Sequence, residues 1–207
     1  MPKPALLSPW QQFEREWQNC VQYSLCETRR SVVLCKGSLP CDVLFIGEAP
    51  GPSEDRSGIP FDGPAGALLH NQIEAAMANT GLSEVRMCFT NLVCCIPVDV
   101  DNSKKWGEPP KSAIEACTSR FVQFVYLARP RLVVLVGDLA KEQIAGQADL
   151  SKETDGSLPW CAWCEPLMFT EITHPARILR LRNEIPAQAS LLNSRAIIYL
   201  ENAFREL

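Results

Sequence analysis

At 207 residues with 46% hydrophobic side chains, the chain is long enough to bury one sizeable core. A formal net charge of −4 and a pI near 5.3 argue against bulk electrostatic capture of nucleic acid and leave that role to a local basic patch. Apolar runs such as RLVVLVG fall short of the roughly 20 residues a spanning helix needs, and acids and a proline interrupt the opening MPKPALLSPWQQFEREW where a signal-peptide core would lie. The expectation is a cytoplasmic protein with no membrane contact.

In chain order, residues 1–40 form a cysteine-bearing N-terminal segment, followed by a β-branched, apolar run at 42–46 (DVLFI) that reads as a buried strand. The Gly/Pro-rich stretch GEAPGPSEDRSGIPFDGPAG, residues 47–66, comes next. Connections in compact domains are usually about 4 to 6 residues, and long ones tend to carry function. AGALLHNQIEAAMANTG has helical spacing and ends at Gly81, a C-cap residue. RMCFTNLV (86–93) is a second strand, and the polar VDVDNSKKWGEPPK (98–111) an exposed loop insert. KSAIEACTSRFVQFVYLARP is a helix stopped before Pro130, and RLVVLV (131–136) a third strand. DLAKEQIAG is a short helix, LMFTEIT (167–173) a fourth strand, and SLLNSRAIIYLENAFREL a closing helix. Such alternation predicts one domain over 1–207, with a parallel sheet covered by helices on both faces.

Three strand ends deliver polar groups to one edge: Glu48 after the first strand, Asn91 in the second and His174 in ITHPARIL after the fourth. Singly each has a plain structural reading, Asn91 as a turn cap and His174 as a satisfied loop histidine. Together, at the carboxyl ends of parallel strands beside a glycine loop holding Phe61, they predict a binding pocket. Ten cysteines in a reducing compartment point to metal ligation rather than disulfides. Cys41 and Cys88 instead suit the role of small buried hydrophobes.

The series GEAPG..ED..G.PF.G.AG.LL, TNLV.C.P, IEAC and HPA..LR, over roughly residues 20–182, closely resembles the family 4 uracil-DNA glycosylases, the iron–sulfur branch of that superfamily. The resemblance implies a three-layer α/β/α fold around a four-stranded parallel sheet, and an enzyme that acts, as a monomer, on a nucleotide flipped out of DNA, hydrolysing its N-glycosidic bond. It implies that the loop residues Gly47, Ala49, Pro50 and Gly51 shape the base pocket, that Phe61 stacks on the base and that Asn91 reads its edge. His174 would stabilise the departing base, and Glu48 would orient or activate water. In HPARILRLR, Leu179 would act as a wedge beside the phosphate-binding Arg177, Arg180 and Arg182, where the plain alternative is a solvated basic turn.

A [4Fe–4S] cluster is implied on Cys20, Cys26, Cys95 and Cys117, with Cys94 the rival of Cys95 and zinc the alternative metal. Cys20 and Cys26 depart from the family's CxxC spacing, and the CAWC at 161–164 has no counterpart. Asp62 and the 98–111 insert could adapt the pocket to a larger base, such as glucosylated hydroxymethylcytosine in phage DNA, which makes an anti-phage glycosylase the alternative to uracil excision. The remaining alternative is a non-catalytic DNA- or nucleotide-binding module.

Overall fold

Period-two burial sets the architecture. The computed structural model describes residues 7–98, 107–144 and 167–207. Its elements are α1 (Pro9–Trp17), β1 (Cys35–Gly37), β2 (Val43–Gly47), α2 (Pro52–Ser57), α3 (Pro64–Thr80), β3 (Met87–Asn91), α4 (Lys111–Ala128) and β4 (Leu132–Val136). They continue through α5 (residues 138–144) to β5 (Met168–Ile172), α6 (Pro175–Glu184) and α7 (Pro186–Phe204). Cys161, Cys164 and residues 99–106 of the expected insert lie outside the described residues.

The sheet order is β1-β3-β2-β4-β5. Every residue of β2 and β4 is buried, as befits central strands. Alternate side chains divide between two cores. Leu44, Ile46, Val133 and Leu135 pack with Phe13 and Trp17 of α1 and Phe121, Phe124 and Val125 of α4. Val43, Phe45, Leu132 and Val134 pack on the other face with Leu69 and Ile73 of α3 and Leu200 and Phe204 of α7. This is the expected α/β/α layering, with β2, β3, β4 and β5 parallel.

Two expectations need correction. The sheet has five strands rather than four, because β1 adds antiparallel to β3, pairing Cys35 with Thr90 and Gly37 with Cys88. Three residues, Cys-Lys-Gly, carry no readable alternation. β5 is an edge strand with alternating exposure rather than a fully buried one, since only β4 lies beside it. The helices expected after residues 63 and 110 form and stop at left-handed residues, Gly81 at φ 71° and Arg129 at φ 45°, the latter just before Pro130. Among the described residues, no helix is long and apolar enough to cross a membrane. Phe124 is fully buried between α1 and the sheet. Phe124→Ala should therefore lower the urea-unfolding free energy by about 3–5 kcal/mol; a loss below about 1 kcal/mol would show that this core is not closed.

Candidate active site

The chain winds from β2 outward to β3, then returns to the other side of β2 for β4 and β5. The direction of winding reverses between β2 and β4, and in open α/β sheets ligands bind at the carboxyl ends of the strands flanking such a reversal. A cleft of about 530 Å³ opens there, lined by Glu48, Ala49, Pro50, Gly51, Phe61, Asn91, His174, Arg177 and Arg180, among others. The three strand-end groups expected from the sequence thus meet in one cavity with the loop that follows β2.

Backbone geometry explains the convergence. Gly47 ends β2, and a Cβ there would run into the Asn91 Oδ1 and approach the Phe61 ring at 2.8 Å. Gly137 ends β4 at φ 102°, and its Cβ would fall 2.6 Å from Glu48 Oε1 and 3.2 Å from His174 Cδ2. Two bare strand ends therefore let four side chains crowd together. Phe61 sits at φ 55°, a conformation uncommon for a bulky residue and concentrated at functional sites. Its ring meets Phe89 edge-on at 5.8 Å, which fixes one wall of the cleft. The preceding loop is held by α2, where the Glu54 carboxylate accepts from Gly51 N–H at 3.1 Å. Buried Asp55 accepts from Arg30 N–H at 2.8 Å and Ser31 N–H at 3.3 Å, which ties the loop to the N-terminal segment.

His174 is the N-cap of α6, and its Nδ1 accepts from Ala176 N–H at 3.2 Å. In the neutral ring the proton then resides on Nε2. Burial, and after it the Arg180 guanidinium, push the imidazole down from 6.5 to about 4, so it is neutral at pH 7. Glu48 shifts the other way: burial raises its carboxyl, and Glu108 adds to the rise while the Leu139 N–H opposes it.

Arg177 and Arg180 lie on the cleft wall, with Arg177 paired to Asp138 at 3.3 Å. Leu179 packs half-buried against the cluster of Leu68, Ile178 and Ala189, outside the cleft lining. Asp62 is also outside that lining, whereas Gly107, Glu108 and Pro109, at the end of the 98–111 segment, form part of it. The sequence reading missed Gly137, Glu108, Asp138 and buried Arg120. Only Gly137 carried a signal, as a glycine closing a strand.

Cys94 brings the expected thiols together, its Sγ lying 4.0 Å from Cys95 Sγ and 4.0 Å from Cys117 Sγ. Cys20 packs against the same core, and Arg29 donates to Cys95 Sγ at 3.5 Å and to the Cys20 carbonyl at 2.6 Å. Cys26, in the turn Ser24–Glu27, is half-buried outside that packed group. A hydrogen bond with Cys94 and the Arg29 charge hold Cys95 below the usual thiol value, while a hydrogen bond with Cys94 and burial push Cys117 up. Among the described residues, no group of three or more His, Cys, Asp or Glu side chains is arranged around a metal position. The donors are nonetheless the soft thiols that zinc and iron–sulfur clusters take. Cys41 and Cys88 are fully buried, as their apolar settings predict.

The His174 environment fixes a pH dependence. Unfolded, the imidazole takes its proton below 6.5, whereas folded it does so only near 4. Its contribution to stability is therefore complete above pH 6.5 and is lost as pH falls towards 4, by about 3 kcal/mol in all. His174→Gln should lose about 2 kcal/mol less than the wild type when urea unfolding is compared at pH 7 and pH 4.5. Equal losses would mean that His174 is not held neutral.

The profile of the uracil DNA glycosylase superfamily matches residues 36–197. A type-4 uracil-DNA glycosylase of Archaeoglobus fulgidus is 30% identical over 178 residues, covering 82% of this chain and 84% of that protein. Its counterpart in Saccharolobus solfataricus is 28% identical over 169 residues, covering 79% and 74%. The protein of the same name from Pyrobaculum aerophilum is 27% identical over 168 residues, covering 79% and 81%. With the strand-end groups and the glycine loop all inside the matched span, the chain belongs to the uracil DNA glycosylase superfamily.

Proposed function

We propose that the chain is a monofunctional DNA glycosylase that takes a uracil nucleotide out of the helix and hydrolyses its N-glycosidic bond, leaving an abasic site. The observation that carries this reading is the neutral His174, its Nδ1 occupied by a backbone donor and its Nε2–H left to serve the cleft.

Flipping a base costs a few kcal/mol of lost stacking and pairing, which the pocket must repay. The Phe61 ring offers a face for stacking. The Asn91 amide can donate to uracil O4 and accept from N3–H in one geometry, a pairing that cytosine reverses. As the bond from the sugar to N1 breaks, its electron pair moves onto the base and charge gathers at O2. Nε2–H of His174 donates there, stabilising charge that exists only beyond the ground state. In its carboxylate form, which burial disfavours and Arg180 favours, Glu48 accepts a proton from water as the water's oxygen bonds to the sugar carbon, and it opposes the positive charge of the oxocarbenium-like centre. Arg177 and Arg180 supply phosphate contacts that the negative net charge does not provide. Leu179 becomes a wedge only if helix α6 releases it from its packed position.

For the metal, the approach of Cys95 and Cys117 to Cys94 supports a [4Fe–4S] cluster held by Cys20, Cys26, Cys95 and Cys117, with Cys94 the rival of Cys95. Zinc is the alternative for the same donors. Such a group would cross-link the N-terminal segment to α4, and no step of base release would pass through it. Anaerobically purified protein should be brown with broad visible absorption. Cys94→Ser and Cys95→Ser, compared by iron content, identify which of the two is the ligand; colourless protein containing zinc or no metal would reject the cluster.

Incubation with a uracil-containing oligonucleotide should yield alkali-labile abasic sites, and His174→Ala should slow single-turnover release roughly 10²- to 10³-fold with little change in DNA affinity. Excision confined to phage DNA carrying glucosylated hydroxymethylcytosine would replace uracil as the substrate, and DNA binding without cleavage of either would replace enzyme with binding module.

A further inference from the structure

Among the described residues, Arg120 is the largest fully buried side chain, only 1% exposed, and no carboxylate pairs with it. A guanidinium is costly to bury, and such residues are usually paired or fully hydrogen-bonded. Here Nη2 donates to the main-chain carbonyls of Asn91 at 2.7 Å and Leu92 at 2.8 Å, and Nη1 reaches Thr90 Oγ1 at 3.4 Å. Thr90 in turn donates to the Leu34 carbonyl at 2.7 Å. Nε has no partner among the described residues. Its hydrogen bonds thus go to three consecutive residues, 90 to 92, at the end of β3, while its charge also favours the thiolates of Cys35, Cys94 and Cys117.

That strand end is the one that presents Asn91 to the cleft. On its other side, Leu92 N–H donates to the Gly47 carbonyl at 2.9 Å and Val93 N–H to the Glu48 carbonyl at 3.1 Å. Residues 91–93 are therefore gripped between Arg120, on the sheet-facing side of α4, and the backbone that carries Glu48. Arg120 itself is not among the residues that line the cleft.

We propose that Arg120 is a positioning residue, whose guanidinium fixes the carbonyls of Asn91 and Leu92 so that the Asn91 amide is aimed at the edge of the flipped base. This rests on the base-excision reading above. Any buried guanidinium needs acceptors, but these acceptors are the carbonyls on either side of the Asn91–Leu92 peptide at the cleft edge, and for stability alone an apolar side chain of similar volume would fill the space at less cost.

The test is a double-mutant cycle between Arg120→Lys and Asn91→Ala, read as single-turnover uracil release at saturating enzyme together with DNA affinity. Lysine keeps the charge but lacks the fork that spans two carbonyls. Losing such charged hydrogen bonds should slow release roughly 10- to 100-fold in the wild-type background and less than about two-fold in Asn91→Ala, with affinity unchanged. Equal slowing in both backgrounds, or none in either, would overturn the proposal. If Arg120→Lys does not fold, Thr90→Val removes one contact of the clamp and should give a smaller slowing that likewise disappears in Asn91→Ala; persistence there would be a refutation. If the wild type releases no uracil, the function reading fails, and the clamp is judged by NMR instead. The Asn91 side-chain amide resonances should then move in Arg120→Lys while those of Asn79, remote from β3, stay fixed; an unmoved Asn91 amide would reject the clamp.

Discussion

Glu48 and His174 can occupy the same few ångströms only because residue 137 has no side chain. A Cβ at that position would enter the space of both, and its φ of 102° suits glycine alone. β2 and β4 must lie side by side for Gly137 to face Glu48, which fixes the strand order. The reversal of winding between those strands in turn opens the crevice. Gly47 repeats the device one strand over, where its bareness lets Asn91 and Phe61 approach.

Crowding polar groups into so small a volume sets their charge states. Burial drives Glu48 towards its neutral form and His174 towards its neutral form, which means opposite pKa shifts for an acid and a base. Arg180 acts on both, keeping the imidazole unprotonated and favouring the carboxylate. In the proposed reaction, a neutral donor suits a departing base that carries its charge only transiently. An imidazolium would also attract the anionic phosphates of undamaged DNA. The helix cap at Ala176 adds the missing detail, because it decides which ring nitrogen bears the proton.

Much of this was legible in the sequence, for physical reasons. Central strands such as LVVLV are buried on both faces and so read as continuous apolar runs, and helices ending at Gly81 or before Pro130 announce their stops. Glu48, Asn91 and His174 stood out because three polar groups converge at the carboxyl ends of parallel strands, where ligands bind in such sheets. The three residues of β1 were too short for any period to register. The helix α6 was hidden inside a basic stretch whose charges look like a solvated turn. Arg120 was invisible for a different reason: in KSAIEACTSRFVQFV an arginine at helical spacing reads as surface, and only the fold reveals that its face turns inward onto the end of β3. Which thiols meet is likewise a matter of tertiary proximity, since Cys94 and Cys117 are distant in sequence yet lie 4.0 Å apart.

The proposed base release depends on the ionisation and tautomer of His174, which ¹⁵N NMR of the imidazole reports directly in the free protein and in complex with a substrate-like oligonucleotide. At pH 7 the spectrum should show a neutral ring protonated on Nε2, with no titration until the pH falls towards 4. A cationic ring at neutral pH, or a neutral ring protonated on Nδ1, would contradict it, because Nδ1 could not then accept from Ala176 and the donor would no longer be the one the cleft requires.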